Sequence, residues 1–236
     1  MELIFLDTET TGNDIAKDRL CQLCYKISGQ PARVGYFKPP LPVSIKAMSI
    51  THITNKMLAD KEPFEGSGMK QHLKNLLTTG ILVAHNARFD RAILEAEGIQ
   101  SPKFICTLRV ARHLDEKGSI PEYNLQYLRY YLDLDIEGNA HDAEADVYVL
   151  EALFGRLLSK IKDKGDDELA AIQRMMDISA VPSLYRNFSF GKHAGKLVED
   201  VAKTDRGYLE WFLNQKLTAE DQDEDWIYTL KHYLKK

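Results

Sequence analysis

Asp7 and Glu9 stand two positions apart in "LIFLDTETTG" (residues 3–12), directly after four apolar residues. Side chains alternate along an extended strand, so both carboxylates project from one face. Two like charges held close raise each other's pKa unless a cation lies between them. A solvated strand end carries such a pair equally well, so the pair alone decides nothing. Its position adds weight, because "LIFL" reads as a central strand, and the ends of such strands in α/β sheets face ligand crevices. The chemistry on offer is the holding of a hard cation by oxygen ligands.

Two further acids sit in comparable places. Asp90, in "ILVAHNARFD", falls in the first turn of a helix that follows a buried strand, and Asp146, in "HDAEAD", falls in the first turn of a long helix. A helix N-terminus favours a carboxylate by roughly 0.3–1 kcal/mol, so each alone is equally explained as a dipole partner. His141 changes the balance. Inside the helix it would point about 140° away from Asp146 on a wheel of 3.6 residues per turn. In the loop just before the helix, both side chains reach one cleft. The histidine then joins four hard oxygen ligands, a set suited to magnesium or manganese rather than zinc.

The elements that must position these residues follow from the pattern. Residues 2–7, 20–28 and 32–38 read as three strands of an antiparallel meander. Helical spacing covers 69–79, and a short buried strand covers 80–85. The next helix, 86–98, has Asn86 as N-cap and Gly98 as stop. "TLRVARHL", "LQYLRYYL" and residues 142–162 are further helices. Antiparallel strands followed by alternating helix and strand give a mixed sheet with helices packed on it. Composition shifts at "DKGDDE" (163–168), before a helix and a Pro-containing connector. The expected division is 1–163, a helix and linker over 164–186, and a small module over 187–236.

The 236 residues carry 44% hydrophobic and 28% charged side chains and a net charge of −4, an ordinary globular profile with no basic excess. The N-terminus lacks a basic n-region and a long apolar run, so no signal peptide is expected. No apolar stretch approaches the ~20 residues of a membrane helix, so the expected address is the cytoplasm, with no membrane partner. "CQLC" has metal-site spacing, but in a strand residues three apart point opposite ways. Cys21 and Cys24 are therefore expected as small core or half-core residues, and with Cys106 they are too few for a disulfide framework.

"DTETTG" (7–12), "HNARFD" (85–90) and "HDAEAD" (141–146) together resemble the three motifs of the DEDDh, DnaQ-like 3′–5′ exonucleases. That family includes the proofreading subunit of DNA polymerase III, RNase T and exonuclease X. "SITHIT", "CTLRVAR" and "YNLQYLRYYL" also look like family elements, and the resemblance covers roughly residues 1–160. The sister branch has Tyr four residues before the last Asp. That position is Asp142 here, which indicates the His branch. The resemblance implies a ribonuclease H-like α/β fold, a mixed five-stranded sheet flanked by helices, followed by a small C-terminal α+β module.

It also implies that Asp7, Glu9, Asp90 and Asp146 hold two Mg2+ or Mn2+ ions about 4 Å apart, as two-metal phosphodiester chemistry requires. His141 would be the general base. The four ligand carboxylates formally account for the net charge of −4. Thr10, Thr11 and Gly12 would line the terminal-nucleotide pocket. Phe89 would pack near that nucleotide and Asn86 contact it or cap its helix. His52 and His85 receive no catalytic role.

The tail, "FSFGKHAGKLVEDVAKTDRGYLEWFLNQK" (188–216), resembles the module that follows the nuclease domain in exonuclease X-like proteins. "FGKHAGK" reads as a strand, a Gly turn and a second strand, with two short helices after it. Lys192 and Lys196 would meet a phosphate backbone, or stay solvated on a plain hairpin. Tyr208, Trp211 and Phe212 are expected in the module's core, and the acidic run 220–225 would repel nucleic acid. The expected activity is metal-dependent hydrolysis of DNA from its 3′ end to nucleoside 5′-monophosphates. Such an enzyme would serve DNA repair or replication, alone or with a DNA polymerase or repair complex. The alternatives are a 3′–5′ exoribonuclease resembling RNase T, with RNA as substrate, and a non-catalytic nucleic-acid-binding or polymerase-associated module.

Overall fold

The computed structural model describes residues 2–136, 143–163, 165, 167–220 and 222–236. They form two compact units, Met1–Leu108 with Asn124–Met176, and Arg109–Tyr123 with Asp177–Lys236.

The first unit is built on a five-stranded sheet. Its strands are β1 (Leu3–Thr10), β2 (Leu20–Ile27), β3 (Arg33–Tyr36), β4 (Ile81–Ala84) and β5 (Phe104–Cys106), in the order β3-β2-β1-β4-β5. β1 pairs antiparallel with β2 and parallel with β4, so the sheet is mixed and β1 is central. The meander of the first three strands is present as expected. β1 runs three residues beyond the expected end at Asp7, because Thr8, Glu9 and Thr10 still pair with Leu23, Gln22 and Leu20. Asp7 and Glu9 are therefore strand residues, and the register slips only between Glu9 and Thr10.

Alternation along β1 sorts the two faces. Ile4 and Leu6 join a core with Leu73 and Leu77 of α3 (Gly68–Leu77) and with Ile93 and Leu94 of α4 (Ala87–Ala96). Phe5 points to the other face and meets Phe154 of α7 (Ala143–Lys162) edge-on, with ring centroids 5.4 Å apart. Lys26 lies opposite Phe5 in the register and bonds Glu151 of α7 at 3.0 Å. Asp7 and Glu9 share the parity of Phe5, so the strand delivers them to the α7 side. Short helices α1 (Ile45–Thr51) and α2 (Asn55–Leu58) follow β3, and α6 (Leu125–Tyr131) precedes α7 in the chain. Cys21 and Cys24 are buried thiols, in line with their expected core role, Cys106 is buried too, and burial pushes the Cys21 thiol up to about 12. No helix among the described residues is long and apolar enough to cross a membrane.

The second unit takes in α9 (Val198–Thr204), α10 (Arg206–Thr218) and α11 (Glu224–Leu234), packed around Phe188, Leu209, Phe212, Trp226 and Leu230. Helices α5 (Thr107–Leu114) and α8 (Glu168–Ser179) each cross a unit boundary. Residues 109–123 group here rather than with the nuclease segment expected over 1–163. The cause is a set of polar anchors. Arg109 and Arg112 pair with Glu224 and Asp225, and Asn187 donates to the Gly118 carbonyl.

The tail corrects two expectations. "FGKHAGK" forms no hairpin; a 3-10 turn at Gly191–His193 is closed by one bridge, Asn187 to Leu197. Gly191 and Gly195 adopt φ +71° and +80°, and these left-handed positions tighten the loop. Two helices, α9 and α10, follow it as expected, but Trp211 is 54% exposed rather than core. The acidic run is partly structural, since Asp223 caps α11 and Asp225 serves the two arginines.

Candidate active site

Asp7 and Glu9 come from the α7-facing side of β1, and Asp146 from the first turn of α7. One carboxylate oxygen of each lies within 4.8 Å of the others. Asp7 and Glu9 are partly exposed and Asp146 is 7% exposed. Asp90, 4% exposed on α4, flanks this trio, and its charge together with those of Glu9 and Asp146 acts on Asp7. Burial first, then these three charges, holds the Asp7 carboxyl well above the usual range. Burial likewise pushes Asp90 up to about 7, against the hydrogen bond that Thr8 Oγ1 donates to its Oδ1 at 2.8 Å.

Burial and mutual repulsion both disfavour charge on these carboxylates, and a cation between them would offset both. Among the described residues the clustered donors are carboxylate oxygens, a set that fits hard divalent ions.

Neighbouring residues hold these carboxylates in place. Gln126, on α6, donates from its amide to Asp146 Oδ1 and accepts at its own Oε1 from Arg129 Nη1 at 3.2 Å. Arg129 is buried and also donates to the Ile136 carbonyl, so the amide has one sensible orientation. Neither Thr8 nor Gln126 stood out in the sequence. The signals were present in hindsight: a hydroxyl between the two paired acids, and an amide in the first turn of the helix before "HDAEAD".

The other expected site residues are placed as follows. His141 and Asp142 lie outside the described residues. Thr10 and Thr11 are buried; their hydroxyls bond the Gly12 carbonyl at 2.6 Å and Asp18 Oδ1 at 2.7 Å. The Thr11 N–H is taken by the Arg19 carbonyl. A Cβ on Gly12 would lie 2.5 Å from Asp18 Oδ2, so glycine lets this loop close. Asn86 occupies the N-cap position, yet its side chain does not cap α4; the residue is exposed and left-handed, at φ 62°. Phe89 is half-buried against the Ile4–Leu6 core. His85 Nδ1 lies 2.9 Å from Thr107 Oγ1. In the second unit, Lys192 Nζ is bound to Asp205 at 2.7 Å and rests over the Tyr208 ring, while Lys196 is exposed.

Comparison with known proteins agrees with the geometry. The profile of a family described as "Exonuclease", of RNase T type, matches residues 4–154. A second, "Exodeoxyribonuclease X-like C-terminal", matches residues 188–216. Exodeoxyribonuclease 10 of Escherichia coli (strain K12) is 34% identical over 201 residues, covering 84% of this chain and 82% of its own. The solved structure of exonuclease X in complex with 5′ overhanging duplex DNA superposes with a TM-score of 0.56 at 26% identity. That match covers 75% of this chain and 99% of the other. Escherichia coli exonuclease I with a bound oligonucleotide gives a TM-score of 0.60 over 78% of this chain and 46% of its own, at 22% identity, a likeness of fold.

Proposed function

Because this chain belongs to the RNase T-type, DnaQ-like 3′–5′ exonuclease family and carries an exonuclease X-like C-terminal segment, we propose that it is a metal-dependent 3′–5′ exodeoxyribonuclease. It releases nucleoside 5′-monophosphates. The observation that carries the reading is the convergence of Asp7, Glu9 and Asp146 on one point, with Asp90 beside them. A DNA substrate is favoured by the 34% identity to a protein named exodeoxyribonuclease 10.

In this reading Asp7, Glu9, Asp90 and Asp146 hold two Mg2+ or Mn2+ ions. Such ions, when bound, supply Lewis-acid stabilisation of charge on the phosphoryl oxygens and make water more acidic. Thr8 fixes the rotamer of Asp90, and Gln126 fixes that of Asp146, so that both ligands keep their aim. His141, on the family pattern, takes the proton of the attacking water at an imidazole nitrogen, a task for which histidine is the side chain most often used near neutral pH. Thr10, Thr11 and Gly12 shape the terminal-nucleotide pocket chiefly through the closed loop that their internal bonds create. Asn86 and Phe89 border the same pocket.

The C-terminal module tunes engagement with the strand through Lys192 and Lys196, both exposed, the first of them paired with Asp205. In this reading the enzyme works in the cytoplasm, alone or beside a polymerase or repair complex. Oligonucleotides labelled at either end test the reading. Single-stranded DNA, duplex DNA and RNA of one sequence are incubated with the protein in Mg2+ and in EDTA. Release of mononucleotide from the 3′ end of DNA, faster than from RNA and abolished by EDTA, is expected. Release from the 5′ end, internal cutting, or a preference for RNA would overturn it.

A further inference from the structure

Helix α6 carries three tyrosines for which the catalytic reading has no use. Tyr127, Tyr130 and Tyr131, with Asn124 and Gln126, line an open cleft of about 460 Å3. Tyr127 and Tyr131 are four residues apart on one helix face and their rings stack, with centroids 5.9 Å apart and planes 23° from parallel. Tyr131 is 48% exposed and Tyr130 74% exposed. The Arg129 guanidinium lies 5.2 Å from the Tyr130 ring centre, and the Asn124 side chain is spent on capping the helix. The rings are thus held on a short, capped helix and still face solvent.

Gln126 ties this cleft to the carboxylates, since it lines the one and donates to Asp146 of the other. The cleft therefore adjoins Asp146, the carboxylate at which the exonuclease reading puts the terminal phosphodiester. Among the described residues the lining holds no carboxylate and no cationic side chain. It offers flat π-faces with hydroxyl tips, which suit a nucleobase better than a charged phosphate. A volume within the ~300–1,000 Å3 of ordinary ligand clefts accommodates a base with its sugar.

We propose that the tyrosines of α6 form a stacking platform for bases of the substrate strand beside the 3′-terminal nucleotide. This rests on the exonuclease reading of the site. Stacking on a ring tolerates every base, so the platform would hold a strand without choosing its sequence.

The test is binding, kept separate from turnover by working in the full chain with Asp7→Asn. Fluorescence anisotropy compares a single-stranded oligodeoxynucleotide with an equal-length strand whose 3′-proximal residues are abasic. Tyr130→Ala with Tyr131→Ala, both exposed positions, should weaken the base-bearing strand on the order of 10-fold or more. The abasic strand should bind all the proteins alike, and Tyr130→Phe with Tyr131→Phe should retain the wild-type preference. In the enzyme with Asp7 intact, the alanine pair should raise KM more than it lowers kcat. Equal weakening of both strands, or unchanged affinity for both, would overturn the platform and leave the rings as a protein-docking or purely structural surface. Absence of turnover by the wild type would count against the exonuclease reading, while base-dependent binding still judges the platform.

Discussion

Gln126 shows what can and cannot be read at the scale of a residue. Asp7 and Glu9 were legible because strand alternation alone puts them on one side, and Asp90 and Asp146 because the motifs around them are spaced like the family's. The partners that aim them are tertiary facts: Thr8 meets Asp90 across 82 residues and Gln126 meets Asp146 across 20. Replacing Gln126 by Ala should cost on the order of 10- to 100-fold in activity, the usual worth of a residue that orients a metal ligand. It should also raise the Mg2+ concentration needed for half-maximal rate. An unchanged Mg2+ dependence would reduce Gln126 to a packing role. The carboxylates themselves set a pH dependence. Asp7 and Asp90 bind protons more tightly folded than unfolded, so folding stability without metal falls as pH rises from about 4, where free carboxylates titrate, through about 7, where Asp90 does. Divalent ions remove that cost. The rise in Tm on adding Mg2+ should therefore be small near about pH 5 and larger near about pH 8, as melting curves across the range would show. A rise independent of pH would contradict the carboxylates as the binding groups.

At the scale of elements, long patterned segments were readable and short ones were not. The helix over 143–162 and strand β2 declare themselves through their length and apolar content. β5 has only three residues and was not recognised among the strands, and the tail loop borrowed the look of a hairpin from its two glycines. Helix α7 is oriented on the sheet by Phe154 against Phe5 and by Glu151 on Lys26, whose side chain is 9% exposed. Breaking that pair from one side leaves an ammonium with little water. Glu151→Ala should destabilise by about 1–3 kcal/mol, whereas Lys26→Met should be close to neutral, because it removes the buried charge itself. Chemical denaturation of both variants measures the difference. Equal losses would mean that packing, not charge, holds α7 at this point.

For the whole molecule, composition suggested a linear order of nuclease, linker and module, but the compact units interleave along the chain. Arg109 and Arg112 sit on α5 far from the tail in sequence, yet their carboxylate partners are Glu224 and Asp225, and Arg112 also rests 4.5 Å over the Tyr185 ring centre. Ending the chain near residue 163 strips both arginines of those partners. The truncated protein should melt well below the full chain or aggregate, and Arg112→Ala in the full chain should reproduce part of the loss, by about 1–2 kcal/mol, because the pair is partly exposed and Asp225 keeps Arg109 and the Ser183 N–H as partners. A truncated protein as stable as the parent would restore the linear division. The central claim, that these carboxylates make a divalent-ion site for removing nucleotides from a 3′ end, is tested most directly at Asp7. Asparagine keeps the shape and removes a charge that its neighbours oppose. The measurement is release of labelled 3′-terminal nucleotide from single-stranded DNA in Mg2+ by the wild type and by Asp7→Asn, each confirmed folded by melting in EDTA. The site as described requires rapid release by the wild type and loss of at least about 100-fold in the variant, with the variant melting no lower than the wild type in EDTA at alkaline pH. Turnover near wild-type level in a folded Asp7→Asn protein would contradict it.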